Sequence, residues 1–254
     1  MAVAAVLSVL GAALIAVGAA KLGHHVARNR TMPDVGPAVG TAAGVVFSFF
    51  ILTLAFLMVS SAQELAVARK GNYAEAGALI DLYLAADRMP ASAKAEVRGH
   101  SEKYAHMVID REWPRMREGE TDEETWAMAY GLYQLVAKVP AETPPKAVDD
   151  ARDAVNRLLA QRRVRVADIQ GGLPLIMVTT LIGAAVLSVA FLVLIGWPKG
   201  VRGILGIAAL GGICGYGVWL VLQLNHAYAS GVHVDPDAFH EALRRMAFVT
   251  AHGI

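Results

Sequence analysis

The sequence predicts an all-α membrane protein, with four transmembrane helices in two hairpins and a helical extramembrane insert between spans two and three. Three observations predict this fold. The mean hydropathy of the 254 residues is +0.45, which is high for a soluble domain. The apolar residues are concentrated in four runs, each near the ~20 residues that a helix needs to cross ~30 Å of hydrocarbon. None of the four runs contains Asp, Glu, Lys, Arg or His.

The four runs also set the domain organisation. They cover residues 2–20, 36–60, 173–197 and 204–223. The first run has no positive residues before it and a second run follows closely, so we interpret it as a span and not as a cleaved signal peptide. Short connectors join the spans in pairs. We therefore divide the chain into a first hairpin (1–61), a helical extramembrane region (62–172), a second hairpin (173–224) and a C-terminal tail (225–254).

The polar insert has helical periodicity throughout and no long alternating pattern typical of a strand. Pro114 is predicted to end one helix directly after Trp113. Thr121 and Glu124 have the spacing of a capping box, which predicts that the next helix begins at Thr121. Two prolines in AETPPK separate this helix from the last one. These amphipathic helices predict a small bundle.

Small residues recur at four-residue spacing in two of the spans. In lipid, helices associate through close van der Waals contact, and glycine lets two backbones approach. The double G-x-x-x-G of the second span and the single one of the fourth predict helix-packing faces at Gly36, Gly40, Gly44, Gly211 and Gly215. Packing within the hairpin and packing between subunits both remain open as the use of these faces.

Composition argues against several classes of function. Charge relays and proton-coupled transport need ionisable groups inside the membrane, and the spans have none. A net charge of +1 and the lack of a basic tract argue against nucleic-acid binding. Cys214 is the single cysteine, so one chain can form neither a disulfide nor a thiolate zinc site. No catalytic motif occurs, so we expect no enzyme activity, no cofactor and no metal site.

Two groups of charged residues in the insert are candidates for a role beyond solubility. The first comprises Glu75, Asp110, Arg111 and Glu112, together with the neighbouring Trp113. A buried carboxylate and arginine pair would fix the geometry of the bundle, and ion binding or gating is the alternative. The second group is Arg162, Arg163 and Arg165, before the third span. It is a candidate for attracting anions, with a membrane-interface anchor as the alternative.

A succession of short motifs resembles one family. The motifs, in order, are EAGALIDLY (75–83), YAHMVIDREW (104–113), QRRVRV (161–166), GLPLIMVTTLIGA (172–184) and SGVHVDPDAF (230–239). Together they are similar to the bestrophin-like domain family of bacterial membrane proteins, and the similarity covers nearly the whole chain. The sequence departs from that pattern after the fourth span, where Asn225 stands in place of the expected aspartate.

The resemblance implies a function and a pore. Bestrophins are pentameric anion channels with four spans per subunit, and their second span lines the pore with bulky apolar side chains. Carried over to this sequence, the resemblance implies a neck at Phe49, Phe50, Leu52 and Phe56. We therefore expect a homo-oligomer, of five copies by kinship, that conducts inorganic ions across the lipid bilayer of the inner membrane. A non-conducting scaffold or sensor that docks a partner through the insert is the alternative.

The side of the membrane that the insert faces is left open by the charges. The short connectors carry lysine and arginine, which would place them in the cytoplasm and the insert outside. Basic residues at both ends of the insert balance that count, and kinship with bestrophins implies a cytosolic insert. We favour the cytosolic orientation.

Overall fold

The structure of the chain is a computed structural model that describes residues 7, 10–18, 21, 37–195, 201–225, 227–228 and 232–253. Helices make up nearly all of these residues, and they contain no strand. The predicted all-α class is therefore confirmed. The described chain divides into two compact units, the first within Met1–Gln63 and Leu173–Asn225 and the second within Glu64–Gly172 and His226–Ile254.

The first unit is built from apolar helices. They are α1 (residues 10–18), the first part of α2 (Pro37–Ala85), α7 (Leu175–Ile195) and α8 (Val201–Leu224). By length and composition, the helical stretches Val39–Arg88 and Gly203–Leu224 could each cross a membrane, and Leu175–Phe191 is a shorter apolar helix. Only 11% and 33% of the most apolar parts of the two long stretches are buried, which is unlike the core helix of a soluble protein.

One side of α2 packs against α7 and α8 in the first unit. Phe50 and Leu57, two turns apart, are buried in a cluster with Leu181 and Val221. Helix α8 approaches α1 closely at Gly211, where an added Cβ would lie 2.5 Å from the Cβ of Ala16. A larger residue at this position would therefore push the two helices apart.

The second unit is a bundle around the last part of α2. A 3₁₀ turn (Ala86–Arg88) follows α2, and the remaining helices are α3 (Ala91–Met107), α4 (Trp113–Arg117), α5 (Glu123–Ala137), α6 (Pro145–Gln170) and α9 (Asp237–His252). Their inward faces form one core that includes Leu79 and Leu82 of α2, Leu132 of α5, Leu158 of α6 and Phe239 of α9. The helices of the second unit are thus held together by a hydrophobic core.

A π-helical turn, Val108–Glu112, joins α3 to α4. The Trp113 amide donates to the Val108 carbonyl five residues earlier, in place of the usual four. Pro114 explains the wider turn, because in a regular α-helix its ring would press on the carbonyl of Asp110. The prediction that Pro114 ends the helix is wrong: the chain stays helical and changes its hydrogen-bond register.

Helix α5 begins one residue later than the capping box predicts. Asp122, and not Thr121, is the N-cap: its carboxylate accepts hydrogen bonds from the Thr125 amide at 3.0 Å and the Thr125 hydroxyl at 2.7 Å. Arg115 lies 3.3 Å from the other carboxylate oxygen. Burial opposes ionisation of Asp122, but the bonds from Thr125 and the nearby arginines outweigh it and lower the pKa. The carboxylate therefore stabilises the folded chain.

We expect Asp122→Ala to lower the free energy of unfolding by about 1–2 kcal/mol at neutral pH, because the cap is lost. The folded-state pKa lies below the unfolded value of ~3.9, so this contribution is complete above that pH and is lost as the pH falls further. Thermal unfolding by circular dichroism in detergent should show the gap between variant and wild type narrowing below about pH 4. Glu123→Ala, at the exposed neighbour, is the control and should cost less stability at neutral pH than the loss of the cap.

Candidate functional site

Four buried charged side chains meet in the core of the second unit, and we call them the buried charge cluster: Glu75, Glu112, Arg162 and Arg165. Each is at most 1% exposed. Helix α2 supplies Glu75, the π turn supplies Glu112, and α6 supplies both arginines. Because Arg162 and Arg165 are three residues apart, they lie on the same face of α6.

Arg165 joins the two carboxylates of the cluster. Its Nε and Nη2 donate to the two oxygens of Glu75 at 2.8 and 2.9 Å, a bidentate pair. Its Nη2 is also 2.8 Å from Oε2 of Glu112. Arg162 holds Glu112 from the other side, with Nη1 donating to Oε2 at 2.8 Å and Nη2 pairing with Oε1. The cluster is therefore charge-balanced, with two guanidinium groups and two carboxylates.

Tyr104 of α3 closes the network. Its hydroxyl donates to Glu75 and accepts from Nη1 of Arg162 at 3.0 Å. Burial, and after it the charge of Glu75, raises the pKa of this hydroxyl far above its usual value, so it stays protonated. Burial disfavours the charge on Arg165, but the carboxylates of Glu75 and Glu112 outweigh it and raise its pKa further. Both guanidinium groups thus stay charged at neutral pH.

Aromatic rings enclose the two guanidinium groups. Arg165 lies over Trp113 and Phe239, 5.8 and 5.6 Å from the ring centres. Arg162 lies 4.5 Å from the ring centre of Trp126. Such cation–π contacts are worth more when the cation is desolvated, as it is here. The Trp113 indole also donates to the Val234 carbonyl at 3.2 Å, which fixes the tail before α9.

The structure divides the first group of predicted charged residues. Glu75, Glu112 and Trp113 meet at the buried charge cluster. Asp110 and Arg111 do not: both are exposed, and Arg111 pairs with Glu124 on α5. The prediction that places them with the buried pair is therefore wrong, because the π turn directs Glu112 inward and leaves its two predecessors on the outer face.

The structure also divides the three arginines before the third span. Arg162 and Arg165 form ion pairs with Glu112 and Glu75 inside the core, where they are buried from solvent. The prediction that they attract anions from solution is therefore wrong. Arg163 lies between them in sequence and is exposed, because one residue turns a helix by about 100°. For Arg163, the attraction of anions and the alternative, an anchor at the membrane interface, both stay predictions.

The predicted neck residues lie on two sides of α2. Phe49, Leu52 and Phe56 are exposed in the isolated chain, by 51%, 69% and 58% of their surface. Phe50 is fully buried against α7 and α8, next to Phe47 at 6.2 Å between ring centres. Phe50 therefore does not share the outward face of the other three, which is a correction to the predicted neck.

The predicted glycine faces differ in what they contact. An added Cβ at Gly40 or Gly44 would meet no atom within 4 Å among the described residues. Gly211 contacts α1, whereas Gly215 is half-buried. Gly36 lies outside the described residues. Among the described residues, the glycine side of α2 is therefore uncovered, and packing within the chain and packing between subunits both remain predictions for it.

Some residues at or near the site were not predicted from the sequence. In the sequence, nothing distinguishes Tyr104, Trp126 and Phe239 from other aromatic core residues. Only their contacts with the arginines of the buried charge cluster distinguish them. Asn225, at the departure from the family pattern, accepts a hydrogen bond from the Leu173 amide at 2.6 Å. Its amide oxygen can make this bond as a carboxylate would, which explains why the substitution is compatible with the fold.

Comparison with known proteins gives one match. The sequence pattern of the family described as Bestrophin-like domain matches residues 5–239, nearly the whole chain. No curated protein and no solved structure matches the chain. The extent of the family match agrees with the resemblance carried by the motifs in the sequence. The protein belongs to the Bestrophin-like domain family.

Proposed function

We propose that this membrane protein is a homo-oligomeric channel that conducts anions passively through a pore lined by the first part of α2. Membership of the Bestrophin-like family and two helices long and apolar enough to span a membrane support the proposal. The observation that carries it is the outward face of α2. Phe49, Leu52 and Phe56 are exposed on a helix that has no charged residue between residues 37 and 63.

Such a face suits a gated pore better than a transport pathway with fixed charges. A ring of bulky apolar side chains can close a pore by dewetting, and it needs no ionisable group. Residues 37–63 of α2 carry no carboxylate that would repel an anion. In this proposal, the size of the apolar side chains in the neck controls conduction. Enzyme activity, cofactors and metals have no role in it.

The proposed topology has four spans in two hairpins in the inner membrane, with the second unit in the cytosol. Helix α2 and α8 supply two of the spans, α7 with its apolar stretch Leu175–Phe191 supplies a third, and the run that contains α1 supplies the first. An even number of spans then places both termini on the side of the second unit.

Planar lipid recordings test this function through the neck. We expect Phe49→Ala and Phe56→Ala to raise the ion current several-fold, because a smaller side chain widens and wets an apolar constriction. Phe50→Ala is the matched control: it removes the same ring from the buried side and should reduce stability without this rise in current. Wild-type protein that is silent at both signs of voltage and with every ion tested would remove the proposal.

A scaffold or sensor is the second candidate, and one observation favours it. Tyr130 and Tyr133 lie exposed on α5, and exposed tyrosines are enriched at protein interfaces. This function needs no axial pore. Particle images of the purified protein separate the two candidates, because a ring with an axial opening favours the channel and a monomer or a closed dimer favours the scaffold.

A further inference from the structure

The end of α2 in the second unit forms a ridge with a groove on each side. Leu84 lies on this ridge and lines both grooves. One groove separates α2 from α9, and the other separates α2 from α6. We call them the basic groove and the acidic groove, after the charges described below.

The basic groove has an apolar floor and one excess positive charge. Its volume is about 480 Å³, and it is lined chiefly by Ile80, Leu84, Glu241, Arg244, Arg245 and Phe248. Arg244 and Arg245 both bond to the same carboxylate: Nε of Arg244 donates to Glu241 at 3.1 Å, and Nε of Arg245 at 3.0 Å. Two guanidinium groups therefore share one carboxylate, and a second carboxylate is lacking.

The acidic groove has the opposite imbalance. Besides Leu84 and Ala85 it is lined by Asp81, Arg88, Asp150, Asp153 and Arg157. Arg157 pairs with Asp81 at 2.8 Å, and Arg88 pairs with Asp150 at 3.1 Å. Asp153 has no ion pair with any described residue. Three carboxylates therefore face two guanidinium groups.

Leu84 on the ridge and Phe248 in the basic groove are apolar side chains that stay partly exposed, although the His252 ring stacks on Phe248. Leu84 is 40% exposed and Phe248 is 56% exposed. Apolar side chains at the centre with charged residues around them are typical of a protein interface. The excess charges on the two flanks are equal in number and opposite in sign, so the two surfaces complement each other.

We propose that the basic groove of one copy of this chain docks onto the acidic groove of a second copy, with Arg244 or Arg245 reaching Asp153. The contact joins two different surfaces, so it is heterologous and can close into a ring. Since both grooves flank Leu84, such a ring would turn the end of α2 towards its axis. This proposal rests on the proposed function for the presence of a second copy, and it adds the two surfaces through which the copies meet.

A second copy fits these observations better than other occupants. An acidic peptide or an anionic lipid would neutralise the basic groove and leave Asp153 without a partner. A basic peptide would do the reverse. A molecule that carries both surfaces satisfies both grooves at once, and this chain is such a molecule.

Charge reversal tests the contact in the full-length chain in detergent. We expect Arg244→Glu with Arg245→Glu, or Asp150→Arg with Asp153→Arg, to lower the oligomer fraction in native mass spectrometry at least about tenfold, because like charges then face each other. Combining the two pairs in one chain should restore the oligomer. Lys103→Glu with Lys138→Glu is the control for the arginine pair, with the same change in charge at exposed positions outside both grooves.

Disulfide trapping gives a direct measure of the same contact. In a Cys214→Ala background, a copy with Arg245→Cys should crosslink to a copy with Asp153→Cys on mild oxidation, and two Arg245→Cys copies should crosslink far less. The proposal is overturned if the oligomer stays intact when either pair alone is reversed. It is also overturned if reversing both pairs in one chain fails to restore the oligomer. An intact wild-type ring without ion current would instead contradict conduction alone, so the two failures are distinguishable.

Discussion

Arg165→Met is expected to lower the free energy of unfolding by about 3–5 kcal/mol, because it leaves buried carboxylates without their partner. Glu75 would lose its bidentate ion pair and keep only the hydroxyl of Tyr104. Glu112 would keep only Arg162. Two carboxylates would then face one guanidinium in the core, and an uncompensated buried charge costs far more than the aliphatic part of methionine recovers.

Chemical denaturation of the full chain in detergent, followed by circular dichroism, measures this loss. Arg163→Met is the matched control: it removes the same charged group from the same helix, but at an exposed position, and should change stability by less than about 0.5 kcal/mol. Equal effects of the two substitutions would show that the buried charge cluster does not hold the second unit together.

Phe239→Ala is expected to cost a similar amount, about 3–5 kcal/mol, through the cavity it leaves. The ring is fully buried and packs edge-on against Tyr104 and Trp113, with centres 6.4 and 6.2 Å apart. It also covers the guanidinium of Arg165. Its loss would therefore both empty part of the core and let water approach the buried charge cluster.

The near-ultraviolet circular dichroism signal of the aromatic residues should melt at a lower temperature in this variant. His240→Ala, at the exposed neighbour on α9, is the control and should leave the transition nearly unchanged. If Phe239→Ala unfolds as the wild type does, then α9 is not part of the cooperative unit formed by the other helices.

The helical class could be predicted from the sequence because it follows from local patterns. Charge-free apolar runs predicted the apolar part of α2 and α8, and helical periodicity predicted the bundle. Family membership was predicted too, because the order of short motifs carries that information. These features depend on residues close together in the chain.

The pairing of charges could not be predicted, because it depends on residues far apart. Arg165 and Glu75 are separated by 90 positions, and they meet only because α6 runs antiparallel to α2 with a particular register. Three arginines in QRRVRV look equivalent in sequence, yet two are inside and one is outside. Only the packing of α6 distinguishes them.

The outward side of α2 could not be predicted from hydrophobicity for a related reason. A helix that is apolar all round gives no signal of which side faces protein. Phe49 and Phe50 are neighbours with the same side chain, and helix packing alone separates an exposed ring from a buried one.

The π turn between α3 and α4 gives this helix one residue more than an α-helical path of the same length would need. Deleting one residue within Val108–Glu112 would remove this extra residue and close the turn with the usual four-residue hydrogen bonds, so the residues that follow would keep about their present directions. The ring of Pro114 would then press on the carbonyl four residues before it, a clash that the wide turn now avoids. Family members that lack this insertion should accordingly show a one-position gap here in an alignment, together with a different residue at the site of Pro114.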